Sequence, residues 1–208
     1  MAQICIACHD EHESQYFPNG GRVRPTRDSL FGTRAPCRMT GNEQVRNESW
    51  MRLALREAEI ALAEGEAPIG CVLLDGSGTV VGSGRNDMRA TGIATGHAEI
   101  NAFRAAGRRV TPEAGIVMVS TLEPCVMCTG AAMETGVTNV IFGLRAPADS
   151  GTGRVNPPSS PGSTSPPIVG GILASESRAL FQAWLRMHEG DASRAAQRAF
   201  IEQLMALT

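Results

Sequence analysis

The sequence predicts an α/β fold in which about five short strands form one sheet with helices packed against it. Three observations point there. Short β-prone runs recur along the chain, each bounded by Gly, Pro, Asn or Asp. Between and after them lie segments with apolar residues at helical spacing. The 208 residues, 42% of them hydrophobic, are enough for one domain with a sizeable core and additional segments at its ends.

Residues 1–46 are rich in Gly, Pro, Arg and His and keep no sustained period, so they are read as an N-terminal extension. The expectation is a disordered arm, or a mis-assigned start with Met39 as the initiator. Within it, Cys5-Ile6-Ala7-Cys8-His9 has the spacing of a c-type haem attachment motif, and His12 adds another metal-ligand type. Haem attachment requires export, and no charged-then-apolar leader precedes the motif. The folded domain is expected over 47–187. It opens with a helix over 48–64, capped by Asn47 or Ser49 and ended by Gly65, with Leu53, Leu55, Ala58, Ile60, Ala61 and Leu62 on its apolar side. A strand over 69–74, a turn at Asp75-Gly76-Ser77-Gly78 and a return strand over 79–83 read as a hairpin.

Next come a helix from His97 to about residue 106, with Ile100 and Phe103 facing the core, and a strand over 115–121. Leu122-Glu123-Pro124 turns into a helix carrying Cys125 and Cys128, followed by a strand over 138–142. Residues 145–167, rich in Gly, Ser and Pro, form a long flexible loop. Ile168-Val169 supplies a short fifth strand, and a helix over 174–187 carries Leu180, Phe181, Trp184 and Leu185. A C-terminal helix occupies 188–208, amphipathic through Ala195, Ala199, Phe200, Leu204 and Leu207.

The chemistry concentrates at His97-Ala98-Glu99 and Pro124-Cys125-Val126-Met127-Cys128. Cys125 and Cys128 are three apart, so on a first helical turn their sulfurs project from one side and can grip one ion. A helix N-terminus there favours the thiolate that binds metal. One imidazole and two thiolates make three ligands, which leave the fourth position of a tetrahedral zinc to water, as in catalytic sites. Glu99, two residues from the imidazole, is the natural proton carrier. An isolated CxxC would more often be a structural half-site or a redox pair. A closed scaffold would need a fourth protein ligand, and the spare cysteine within the domain, Cys71, lies in a predicted strand.

These motifs match the zinc deaminase signature. With Ala67-Pro68-Ile69-Gly70, Gly84-Arg85-Asn86, Thr129-Gly130-Ala131 and Val140-Ile141-Phe142-Gly143, residues from about 50 to 187 resemble the cytidine and deoxycytidylate deaminase superfamily. Within it they are most similar to the branch of tRNA adenosine deaminases, guanine deaminases and cytosine deaminases. The resemblance implies a cytidine deaminase-like three-layer α-β-α fold with a central mixed sheet of about five strands. It implies one zinc per chain on His97, Cys125 and Cys128, with Glu99 as the catalytic acid and base. It also implies substrate contacts from Asn86, Ala98 and Pro68, and from Trp184 as part of a roof over the pocket. Relatives in this superfamily are dimeric or tetrameric, so a homodimer is expected.

Composition narrows the partners. The formal net charge is −2 and every basic side chain other than histidine is arginine. The absence of lysine excludes Schiff-base catalysis and a Walker-type phosphate loop. Six cysteines in a chain this long do not suggest a disulfide framework, and no apolar run reaches a membrane-spanning length, so a cytoplasmic protein without a membrane is expected. A near-neutral balance favours a small nucleobase or nucleoside as substrate. So does Gly92-Ile93-Ala94-Thr95-Gly96 before the zinc histidine, which is closer to cytosine deaminases. The alternative is adenosine at the wobble position of a tRNA anticodon, favoured by Leu122-Glu123-Pro124 before Cys125 and by Phe142-Gly143-Leu144-Arg145. Ala146-Pro147-Ala148 departs from the tRNA pattern.

Overall fold

A computed structural model describes residues 39–159, 163 and 165–208. The Cys5–His12 cluster lies outside the described residues. Five strands form one mixed sheet in the order β2-β1-β3-β4-β5: β1 Gly70–Leu74, β2 Val80–Arg85, β3 Val117–Leu122, β4 Asn139–Leu144 and β5 Ile168–Val169. The hairpin pair β1/β2 and the pair β1/β3 are antiparallel; β3/β4 and β4/β5 are parallel. The helices are α1 Gly41–Ala63, α2 Met88–Thr91, α3 Ala98–Ala106, α4 Val126–Glu134, α5 Ala174–Met187 and α6 Ala195–Leu207. Among the described residues no helix is long and apolar enough to cross a membrane.

Strand alternation produces the three layers. Cys71 and Leu73 point to one face, where Ala98, Ala102 and Ala106 of α3 and Ala132 of α4 meet Met118, Val140 and Phe142. Val72 and Leu74 point to the other, against Met51, Ala54 and Leu55 of α1, Val119 and Ile141. A third apolar cluster joins α5 and α6 through Phe181, Trp184, Ile201 and Leu204, beneath Leu122 and Leu144 at the strand ends. The C-terminal helix is therefore built into the domain's core.

Two expected boundaries change. The first helix begins at Gly41, seven residues before residue 48, so the boundary at 46/47 falls inside it. The cause is a capping box: Thr40 Oγ1 accepts from Glu43 N at 3.3 Å, and Glu43 Oε2 accepts from Thr40 N at 2.9 Å. Asn47 is consequently a buried mid-helix residue, its Nδ2 donating to Met39 Sδ at 3.5 Å. Ile60, expected in the apolar stripe, is exposed, and Met51 and Ala54 are buried instead. At the other end, the predicted final helix starts as a 3-10 turn, Ala192–Arg194, before α6.

The helix that presents His97 lies unusually near its strand. Small residues face each other there: Ala98, Ala102 and Ala106 of α3 are buried, while Ile100 and Phe103 are only partly so. A Cβ on Gly82 would come within 2.8 Å of Ala106 Cβ, and one on Gly84 within 2.8 Å of the Asn101 carbonyl carbon. Gly84→Ala must therefore push α3 outward. It should destabilise the fold by about 1–3 kcal/mol, read as a melting temperature lower by about 2–10 °C.

Candidate active site

Both halves of the motif sit at helix starts, Cys125 shortly after β3 and His97 after the short α2 and its loop. His97 is the N-cap of α3 and Cys125 the N-cap of α4, each with extended backbone, so three ligands converge where two helix dipoles present their positive ends. His97 Nδ1 lies 3.6 Å from Cys125 Sγ and 3.6 Å from Cys128 Sγ, and the sulfurs are 3.7 Å apart. A tetrahedral zinc with Zn–S of about 2.3 Å and Zn–N of about 2.0–2.1 Å demands edges of about 3.6 Å for N···S and about 3.8 Å for S···S. The donor triangle fits that ion. Among the described residues it is the one group of three or more His, Cys, Asp or Glu side chains arranged to hold a metal. Cys71 is fully buried in the sheet core and belongs to no such group.

The ligands polarise one another. The Cys125 thiol is pulled down to about 4, chiefly by the hydrogen bond with Cys128 Sγ and further by His97. The Cys128 thiol is pushed up, by that same bond, by burial and by the Glu99 carboxylate. The Cys125 sulfur in turn raises His97. Two thiols and an imidazole so coupled must shed protons together when a divalent cation binds.

Glu99 sits beside them, almost wholly buried. Its Oε1 accepts from Ser120 Oγ at 2.9 Å, and its Oε2 lies 3.4 Å from Cys128 Sγ. Burial raises its pKa above the ordinary carboxylate value, against the lowering effect of its hydrogen bonds with its own backbone and Ser120. Glu99 also lines a cavity of about 620 Å³, together with His97, Ala98, Cys125 and Asn86. That volume lies within the range of about 300–1,000 Å³ usual for small-molecule sites.

Two expected contacts are not in the cavity wall. Pro68 is buried and is not among the lining residues, although its neighbours Ala67 and Ile69 are. Trp184 is fully buried in the α5/α6 cluster, stacks on His188 at 4.4 Å and donates from Nε1 to the Gly65 carbonyl at 3.3 Å. Its ring is consumed by core packing and lies outside the lining. The 3-10 turn and α6 supply the wall instead, with Ser193 and Arg194 from the turn and Gln197 and Phe200 from the helix.

Asp149, which belongs to no recognisable motif in the sequence, also lines the cavity. Burial raises its pKa, and the Cys125 sulfur adds to that. It stands on the loop after β4, and that loop is tied down at this point. Glu123, 3% exposed, accepts from Ala146 N at 2.9 Å, from Ser150 Oγ at 2.6 Å and from Thr152 Oγ1, while Ser150 bridges to Cys125. The segment beginning at residue 145 is thus fastened to the β3–α4 connection that leads into Cys125. Glu123 is visible in the sequence only as the residue before Pro124; its hold on a loop more than twenty residues later is not.

Comparison with known proteins agrees with this geometry. The family model for the cytidine and deoxycytidylate deaminase zinc-binding region matches residues 44–144, which include all three ligands. The tRNA-specific adenosine deaminase 2 of Xenopus tropicalis is 31% identical over 170 residues, covering 75% of this chain and 97% of that protein. A tRNA(Ile)-lysidine synthase of Deinococcus deserti is 40% identical over 121 residues, 57% of this chain; the chain spans only 22% of that protein's length. A solved structure from work on tRNA:A34 deaminases, which edit A to I at the wobble position of transfer RNA, superposes with a TM-score of 0.55 at 30% identity. That match covers 64% of this chain and 98% of the other. With its zinc-binding region matched and a relative of 31% identity covered over 97% of its length, this chain belongs to the cytidine and deoxycytidylate deaminase family.

Proposed function

We propose that the protein is a zinc-dependent hydrolytic deaminase that converts an amino-substituted nucleobase or nucleoside to its oxo form and releases ammonia. The observation that carries this reading is a buried carboxylate, Glu99, 3.4 Å from one of three zinc-spaced ligands in the wall of a cavity large enough for a nucleobase or nucleoside. Zinc, when held by His97, Cys125 and Cys128, supplies a Lewis acid that activates water for attack on an amidine carbon. Glu99 moves the protons. With Oε1 anchored by Ser120, Oε2 is left to face the ligands, take a proton from the attacking water and pass it to the ring nitrogen. The carboxylate then takes the remaining proton of the added hydroxyl and hands it to the amine, so that the C–N bond breaks, ammonia leaves and the oxygen stays on the ring as the oxo group. A pKa raised by burial suits a carboxyl that must both accept and return a proton. Backbone N–H groups at the starts of α3 and α4 point into this region and favour negative charge developing on oxygen.

Gln197 and Phe200 of α6 and the anchored Asp149 line the cavity; a wall built so close to the ligands favours a small substrate, and the Asp149 carboxylate suits a ring presenting N–H donors. The second reading, adenosine in a tRNA anticodon, is favoured by the tRNA-specific adenosine deaminase that matches over nearly its whole length. Ammonia release from guanine, cytosine, adenine and their nucleosides, run beside a tRNA anticodon stem-loop, separates the two. Turnover of a free base or nucleoside, with the stem-loop inert, is the expected result. Turnover of the stem-loop alone would establish the second reading, and ammonia from none of them would remove both.

A further inference from the structure

Glu66 is a further buried carboxylate beside this site, 2% exposed, and Glu99 chemistry makes no use of it. It lies just after the α1 turn, with its own N–H held by the Ala61 carbonyl at 2.8 Å. All of its side-chain partners are N–H donors. Ala90 N donates to Oε1 at 2.7 Å, Asn86 Nδ2 donates to Oε2 at 3.2 Å, and Arg89 N lies 3.4 Å from Oε2. It forms no ion pair among the described residues. A buried carboxylate satisfied only by neutral donors is a costly arrangement, and such groups persist where a specific geometry is needed.

The Asn86 side chain is what Glu66 controls. The Asn86 backbone is fixed by its N–H donating to the Ile69 carbonyl at 3.0 Å, so the freedom left to the residue is which end of its amide faces Glu66. A carboxylate accepts and cannot donate, so the NH₂ must face it. Asn86 Oδ1 accepts no hydrogen bond among the described residues, and Asn86 lines the cavity. We infer that Glu66 is a positioning residue: its buried carboxylate locks the Asn86 amide with Oδ1 toward the cavity, so that the site demands a hydrogen-bond donor from the substrate there. An amino group or ring N–H of the base meets that demand; a bare ring nitrogen does not. This inference rests on the deaminase reading.

Glu66→Gln reverses the lock. The Ala90 N–H keeps the amide oxygen of the new side chain, so its NH₂ faces Asn86. The Asn86 amide must then turn and present its own donors to the cavity. With a substrate that the wild type deaminates, kcat/KM should fall by about 10–100-fold, mainly through KM, because two donors oppose each other. Combining Glu66→Gln with Asn86→Asp keeps the total charge and restores both matches, since the introduced amide donates to the introduced carboxylate, which presents an acceptor to the cavity. The double variant should recover at least about tenfold over Glu66→Gln, an interaction a double-mutant cycle isolates. Protection of the Asn86 side-chain NH₂ from hydrogen exchange, assigned by its loss in Asn86→Asp, should be present in the wild type and absent in Glu66→Gln. Unchanged kcat/KM in Glu66→Gln would overturn the inference, and so would a loss that the double variant fails to restore, which would mark Glu66 as merely structural. A wild type that releases no ammonia from any substrate would instead overturn the deaminase reading, and the exchange measurement would still decide the orientation of Asn86.

Discussion

Glu99→Gln is expected to lower ammonia release by about 10²–10⁴-fold, the range lost with a positioned general acid and base, while one zinc per chain stays bound. The amide keeps the shape of the side chain and its contact with Ser120 Oγ, so the ligand triangle is undisturbed. What disappears is the capacity to carry a proton from water to the ring nitrogen and on to the amine. Stability should hold or rise slightly, because a carboxyl whose burial opposes its charged form is replaced by a neutral group. Steady-state ammonia assays with metal analysis on the same samples check both halves. Appreciable turnover in the variant would remove Glu99 from its role.

Cys128→Ser is expected to abolish activity by a different route. Cys128 is fully buried and forms two edges of the donor triangle, at 3.6 Å to His97 and 3.7 Å to Cys125. A serine hydroxyl is shorter and does not ionise in this range, so the remaining pair cannot hold zinc against a chelator that leaves the wild type loaded. The same loss should appear gradually in the wild type on acidification. His97 and Cys128 both have raised pKa values, so protons compete for them strongly, and zinc affinity falls as pH falls. Zinc retained after dialysis, measured against pH, should show wild-type release at acid pH and release from Cys128→Ser already at neutral pH. Full retention by the serine variant would show that the ion is held elsewhere.

How far the sequence discloses the site depends on the range of each interaction. The ligands and Glu99 were legible because their spacing is local: HxE and CxxC at helix starts place the groups before any tertiary contact is known. The strands and α5 were legible for the same reason, being short alternating or helical runs bounded by Gly and Pro. The start of α1 was missed although Thr40 and Glu43 spell a capping box, since the surrounding residues carry no apolar stripe. The cavity wall was only half visible. Asp149 enters it because Glu123 grips the loop, and Arg194, Gln197 and Phe200 enter it because Trp184 and Ile201 lock α6 onto α5. These are long-range packing events with no periodic trace. Trp184 is open to both core packing and a pocket roof from its helix face alone, because that face shows which side is apolar and not which neighbour covers it; in the structure it packs in the core.

Zinc X-ray absorption on the purified protein tests the centre most directly. About one zinc per chain, with two sulfurs at about 2.3 Å and two lighter atoms at about 2.0–2.1 Å, one of them imidazole nitrogen and the other water, is the expected spectrum. A protein that binds no zinc, or one whose zinc is closed by four side chains, would contradict a hydrolytic site here.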